Sequence, residues 1–308
     1  MIQTANISLM MKPYLLFLLC CVSFSLFAQT GTERSSLPEF SLENIEFKSE
    51  GVTLSGTIYT PRQVYAAVVL VHGSGRETRM LAMATLLAKH GIAVLTYDKR
   101  GAGKSGGIYA GPEVGTNNID SANLNLLALD ASAASDALLA HLPPNHGLLG
   151  LIGFSQAGWT IPLAAQKNKN VNFMILFSGP VITTLEQLRF QFYTESKPNF
   201  WDTHTETEVR EHIKSDADRY HFADTDPRDA LSKLSIPGLW LFGGKDVQVP
   251  VRVSIERLEL LNKKHGKQYE YQLFPELGHN TAFSTSQEPV NLAIKWIESN
   301  GFIKYPHQ

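Results

Sequence analysis

Apolar residues dominate short runs at 65–71, 92–97, 148–154 and 171–177, where the only polar side chains are Thr96 and Asn172. Runs of this length with no polar alternation predict strands covered on both faces. Earlier, residues 43–48 and 52–60 alternate apolar with polar around Gly51, which predicts an antiparallel hairpin. Two further strands are expected at 237–242 and 269–274. Helical composition fills the gaps. One helix is predicted over 80–90, closed by Gly91, and another over about 120–142, stopped before Pro143-Pro144. Others follow residue 154, lie between the last two strands, and span about 287–299. Alternating strands and helices require crossover connections, so the expected class is α/β: a mostly parallel eight-stranded sheet with helices on both faces.

The alternation stops between residues 180 and 235, where a charged, helical stretch carries Phe190, Phe192, Tyr193, Phe200, Trp201, Tyr220 and Phe222. Its aromatics are read mainly as the packing of a small helical subdomain. His204, His212 and His221 lie near Asp216 and Asp218 but show no tight ligand spacing, so a solvated helix face is expected rather than a metal centre. Residues 1–28 pair Lys12 with an apolar run from Leu15 to Val22 and end at Ala28-Gln29, the layout of a secretory signal peptide, with Met11 a candidate start. A membrane anchor wants about 20 apolar residues. This run is shorter and is broken by Ser23 and Ser25. Export with cleavage is expected, with no stable membrane span afterwards and a periplasmic or secreted product. Residues 29–42 would be a linker, 43–301 the folded domain and 302–308 a tail. Cys20 and Cys21 both fall in the leader, so the mature chain would hold no disulfide, thiolate nucleophile or cysteine metal site.

Of the 308 residues, 44% are hydrophobic and 18% charged, enough apolar material for a large core. A net charge of −2 offers no basic surplus for nucleic acid.

The most informative stretch is Gly150-Leu151-Ile152-Gly153-Phe154-Ser155-Gln156-Ala157-Gly158-Trp159. A buried strand ends in a turn of small residues and gives way to a helix, with a serine at the apex. Such a turn lifts the hydroxyl clear of the backbone and aims the next N–H at the same space. The stretch resembles the nucleophile elbow of the α/β-hydrolase family, Gly-x-Ser-x-Gly, except that Ala157 stands at the last position and Gly158 follows. A serine hydroxyl needs a base to take its proton, and the base needs an acid to orient it. The resemblance implies that these follow the serine, acid first and histidine last, each in a loop after a strand. Asp246 follows the strand at 237–242 and His279 follows that at 269–274, which gives Ser155, Asp246 and His279 as the expected catalytic residues. The family's oxyanion hole takes one N–H from the residue after the nucleophile and one from the loop after the third strand. By position these are Gln156 and Ser74, or Gly75 if the loop shifts by one. His72 is expected to brace that loop.

Gly101-Ala102-Gly103-Lys104-Ser105-Gly106 mimics two nucleotide motifs. The phosphate-loop reading fails because Asp98 stands where the first glycine belongs. The dinucleotide reading needs a helix opening inside the motif, but Gly107, Gly111, Pro112 and Gly115 follow. Asp98-Lys99-Arg100-Gly101 with Gly103 and Ser105 instead resembles the loop after the fourth strand in dienelactone-hydrolase-like and serine-aminopeptidase-like members of the family. There Asp98 and Arg100 are implied to form a buried, paired brace. The resemblance also places the 180–235 insertion as a cap. Together these readings predict a serine hydrolase of carboxylic esters, acting on a small-molecule acyl substrate without metal or organic cofactor. Aminopeptidase-like or thioesterase activity, or a non-catalytic binding protein on the same scaffold, are the alternatives.

Overall fold

In the computed structural model, which describes residues 39–216 and 221–300, the eight expected strands form one sheet in the order β1-β2-β4-β3-β5-β6-β7-β8. They are β1 (Phe40–Ser49), β2 (Val52–Pro61), β3 (Ala66–Val71), β4 (Ile92–Tyr97), β5 (Leu148–Phe154), β6 (Val171–Phe177), β7 (Gly238–Gly243) and β8 (Tyr269–Phe274). The β1–β2 hairpin closes through Glu50 and Gly51, both at positive φ (44° and 75°), the two-residue turn whose twist matches antiparallel strands. β2 pairs antiparallel with β4, and every later pairing is parallel.

The helices are α1 (Leu81–Lys89), α2 (Ser121–His141), α3 (Ala157–Lys167), α4 (Thr184–Thr194), α5 (Glu206–Ser215), α6 (Pro227–Leu231), α7 (Val251–His265) and α8 (Glu288–Ser299). They cover the sheet on both faces. Because β3 is apolar throughout, Ala67, Val69 and Val71 pack on one side with α2, α3 and α7. Ala66, Val68 and Leu70 pack on the other with α1 and α8. Full burial of such a side chain contributes about 1.5–3 kcal/mol, so both layers are held firmly.

The stretch between β6 and β7 holds α4, α5, α6 and a 3₁₀ turn at Phe200–Asp202. Phe190, Phe200, Val209 and Ile213 form a separate small core there, joined by Tyr193 and Trp201. Thr183 and Thr205 each start a helix with a reciprocal capping box, to Glu186 and Glu208. The expected solvated histidine face holds at His221, which is exposed, and is corrected at the other two: His204 stacks on Phe200 at 4.1 Å and His212 on Tyr193 at 3.9 Å, and both rings are half-buried. Aromatic neighbours offered more contact than water did.

Among the described residues no helix is long and apolar enough to cross a membrane. The expected signal peptide with Cys20 and Cys21, residues 29–38 of the expected linker and the tail lie outside the described residues, while residues 40–42 of that linker are corrected to strand, the start of β1.

Candidate active site

β3 pairs on one side with β4 and on the other with β5, so the chain leaves the middle of the sheet in opposite directions. Ligand sites in parallel sheets form outside the carboxyl ends of strands at such a crossing. The loops after β3, β5, β7 and β8 carry Ser74, Ser155, Asp246 and His279.

Ser155 sits between the end of β5 and the start of α3 with φ at 50°, a left-handed conformation that costs a non-glycine residue about 1–3 kcal/mol. Its N–H donates to Phe177 O at 3.0 Å and its carbonyl accepts from Gly158 N at 2.8 Å, which ties the turn to β6 and opens the helix. The departure at Ala157 has a local explanation. A side chain on Gly153 would come within 2.4 Å of the Ala157 Cβ, so the methyl fits because Gly153 is bare. One residue later, a Cβ on Gly158 would meet Pro180 Cδ at 2.5 Å. The glycine demanded by close packing has moved one place along the helix.

His279 Nε2 lies 2.9 Å from Ser155 Oγ, and His279 Nδ1 lies 2.8 Å from Asp246 Oδ2. The imidazole therefore bridges hydroxyl and carboxylate, with its side chain 10% exposed. Asp246 is buried, and its other oxygen accepts from the N–H groups of Gln248 (2.7 Å) and Val249 (2.9 Å). One carboxylate oxygen shapes its own loop while the second faces the histidine. The histidine loop is anchored as well: Ser178, at φ 52° after β6, donates through Oγ to His279 O at 2.5 Å.

Three side chains from the insertion reach the acid loop. Trp201 Nε1 donates to Asp246 O at 2.8 Å, Thr194 Oγ1 to Val247 O at 2.6 Å and Gln187 Nε2 to Gln248 O at 2.5 Å. Sequence reasoning missed all three contacts, since no spacing signals a bond between side chains and a backbone some 45 to 61 positions away.

In the loop after β3, every carbonyl from Gly73 to Gly75 is engaged. Lys99 Nζ donates to Gly73 O (2.6 Å) and Gly75 O (3.1 Å), while Ser74 O accepts from Tyr109 OH (3.0 Å) and Asn118 Nδ2 (2.9 Å). In a trans peptide the N–H points opposite the carbonyl. Among the described residues, the N–H groups of Ser74, Gly75 and Gln156 have no acceptor. Lys99 also reaches Gln156 Oε1 at 3.0 Å, across 57 positions of chain with no local signal for the contact. His72 braces the loop as expected, its Nε2–H donating to Tyr97 O at 2.7 Å. Burial, reinforced by the nearby Lys99 ammonium, pushes its pKa down to about 3, so the ring stays neutral.

The implied Asp98–Arg100 brace is corrected. Both are buried and paired, but with different partners. Asp98 faces Arg79 at 3.4 Å and accepts from Lys104 N at 2.9 Å. Arg100 forks onto Asp130 of α2, with Nε to Oδ2 at 2.9 Å. Asp98 and Arg100 turn to different elements, and α2 supplied the carboxylate that the local sequence did not. The glycine-rich segment after Arg100 is a series of turns closed by Gly101 N to Gly106 O at 2.9 Å, with no helix inside the motif.

Residues 62–217 match the family model described as serine aminopeptidase, S33. No curated protein sequence matches the chain. Among solved structures, an esterase of Pyrococcus furiosus aligns with TM-score 0.61 at 20% identity, over 84% of this chain and 91% of that one. An acylaminoacyl peptidase of Pyrococcus horikoshii aligns with TM-score 0.62 at 17% identity, over 88% of this chain and 43% of that one. At these identities the likeness is one of fold. The family match, the sheet order and the serine at the strand–helix turn agree: the chain belongs to the serine aminopeptidase (S33) family of α/β hydrolases.

Proposed function

We propose that the chain hydrolyses carboxylic esters through an acyl-enzyme on Ser155. The reading is carried by the unbroken hydrogen-bond chain from Ser155 Oγ through His279 to the buried Asp246 carboxylate. His279 Nε2 takes the hydroxyl proton as Oγ attacks the substrate carbonyl. Asp246 holds the proton on Nδ1 and stabilises the imidazolium that forms. The oxyanion is received by the N–H groups of Ser74 and Gln156, donors worth about 3–4 kcal/mol each in such sites. His279 then protonates the leaving alcohol, activates a water against the acyl-enzyme and returns the proton to Ser155. The scheme needs no group beyond these side chains and backbone donors.

Esters are the first choice because they are the most reactive common carbonyls. Aminoacyl-amide cleavage is the second reading, supported by the description of the matched family. Turnover of a short-chain p-nitrophenyl ester, its thioester analogue and an aminoacyl p-nitroanilide by one purified sample separates them. The ester is expected to give the highest kcat/KM. An anilide preferred over the ester would replace this reading with the second, and no turnover of any would favour a binding role. The leader at 1–28 supports export of the mature chain. Cell fractionation with N-terminal sequencing tests this, and a cytosolic product beginning at Met1 or Met11 would refute it.

A further inference from the structure

Lys99 is a buried cation with an unusual set of partners. It leaves the end of β4 and is 3% exposed. Among the described residues it makes no ion pair. Its three donors go instead to neutral oxygens: Gly73 O, Gly75 O and Gln156 Oε1, at 2.6, 3.1 and 3.0 Å. Nζ also lies 5.7 Å over the Tyr109 ring. Burying a charge without a counter-charge is costly, so a plain packing role would be served better by an apolar side chain.

The acceptors explain the charge. Gln156 Nε2 donates to Asn118 O at 2.7 Å, and Asn118 Nδ2 donates to Ser74 O at 2.9 Å. Lys99, Gln156, Asn118 and the Gly73–Gly75 backbone thus close a ring of hydrogen bonds. That ring joins the two separate segments that supply the proposed oxyanion donors. A second effect is electronic. A cation on Gly73 O polarises the Gly73–Ser74 amide, and the N–H at the far end of that amide is the Ser74 donor. Hydrogen bonds in series strengthen one another by about 10–30% each.

We propose that Lys99 is a positioning residue of the oxyanion hole, fixing the Ser74 and Gln156 N–H groups relative to each other and strengthening the Ser74 donor through the amide it holds. This rests on the assignment of Ser155 as nucleophile and of Ser74 and Gln156 as oxyanion donors. The ammonium must be charged to act. Burial lowers its pKa to about 8, opposed by the carboxylates of Glu77, in the loop after β3, and Glu113, in the 3₁₀ turn at Pro112–Val114. The other groups that face it are Tyr109 and the neutral His72. As pH rises through about 8, the cation is lost and kcat falls with it.

The test uses the full chain with a short-chain p-nitrophenyl ester, a pH profile from about 6 to 10, and the rate of fluorophosphonate labelling at Ser155. Lys99→Met is expected to lower kcat at pH 7 about 30-fold or more with KM within threefold, to slow labelling in step, and to abolish the alkaline fall. Gln156→Glu keeps the backbone donor but gives Lys99 a carboxylate partner, so its alkaline limb should move up by about one pH unit. This second variant keeps the test open if Lys99→Met does not fold. A folded Lys99→Met enzyme with kcat within threefold of wild type, or a limb unmoved in Gln156→Glu, overturns the role of Lys99 alone. Wild-type protein that resists labelling at Ser155 overturns the nucleophile assignment and this role together.

Discussion

Asp246 serves two masters with its two oxygens, and replacing it with asparagine separates them. The Oδ1 contacts to Gln248 and Val249 N–H survive in Asp246→Asn, but an amide NH₂ facing Nδ1 favours the wrong imidazole tautomer. The variant should fold normally, as read by circular dichroism, while kcat drops by about 10⁴-fold. His72 makes a different prediction. Its pKa is about 3 when folded and about 6.5 when exposed, so the unfolded chain binds the extra proton first. Its neutral burial therefore supports stability above pH 6.5, and that support is lost as pH falls from there toward 3. Urea unfolding between pH 4 and 6 should show this as a slope of up to about 1.4 kcal/mol per pH unit, reduced in His72→Gln. At the elbow, Gly158→Ala should destabilise by about 1–3 kcal/mol against Pro180, whereas Ala157→Gly, which only removes a methyl resting on bare Gly153, should cost less. Ser155, Asp246 and His279 could be named before any coordinates because each follows a recognisable strand in a fixed order. Lys99, Ser178 and Trp201 could not, because their partners lie between 24 and 101 positions away and nothing local marks them.

At the scale of elements, the central strands were legible because they are mostly apolar on both faces and stopped by glycine, proline or a polar turn, and the hairpin strands because they alternate. The hairpin turn was legible from Gly51. The insertion was legible only as a break in the pattern. What it does became clear from where Gln187 of α4, Thr194 at its end and Trp201 of the following turn send their hydrogen bonds: to three successive carbonyls of the acid loop. These segments are part of the support for Asp246, so they cannot swing away without releasing it. Trp201→Phe keeps the ring in its aromatic cluster and removes only the donor to Asp246 O. It should cost about 1–2 kcal/mol in unfolding free energy and lower kcat more than it raises KM, whereas equal changes in both would show that the clamp does not reach the acid.

For the molecule as a whole, the sheet order brings the ends of β3, β5, β7 and β8 to one rim, and buried charge holds the layers around it. The Arg100–Asp130 pair ties the loop after β4 to α2 beneath that rim. Its sequence signal was half visible: Arg100 stood in a recognisable motif, while Asp130 lay unremarked on the apolar face of a long helix. Asp130→Ala alone should cost about 3–5 kcal/mol by stranding the guanidinium, and exchanging both residues for leucine should recover most of it. The central claim is that the hydroxyl at the strand–helix turn is the nucleophile of this hydrolase. The most direct measurement is reaction of the purified chain with a fluorophosphonate, followed by mass spectrometry of its peptides. The expected result is a single adduct on Ser155, absent from Ser155→Ala and strongly slowed in His279→Ala. An adduct on another residue, or labelling undiminished in Ser155→Ala, would contradict it.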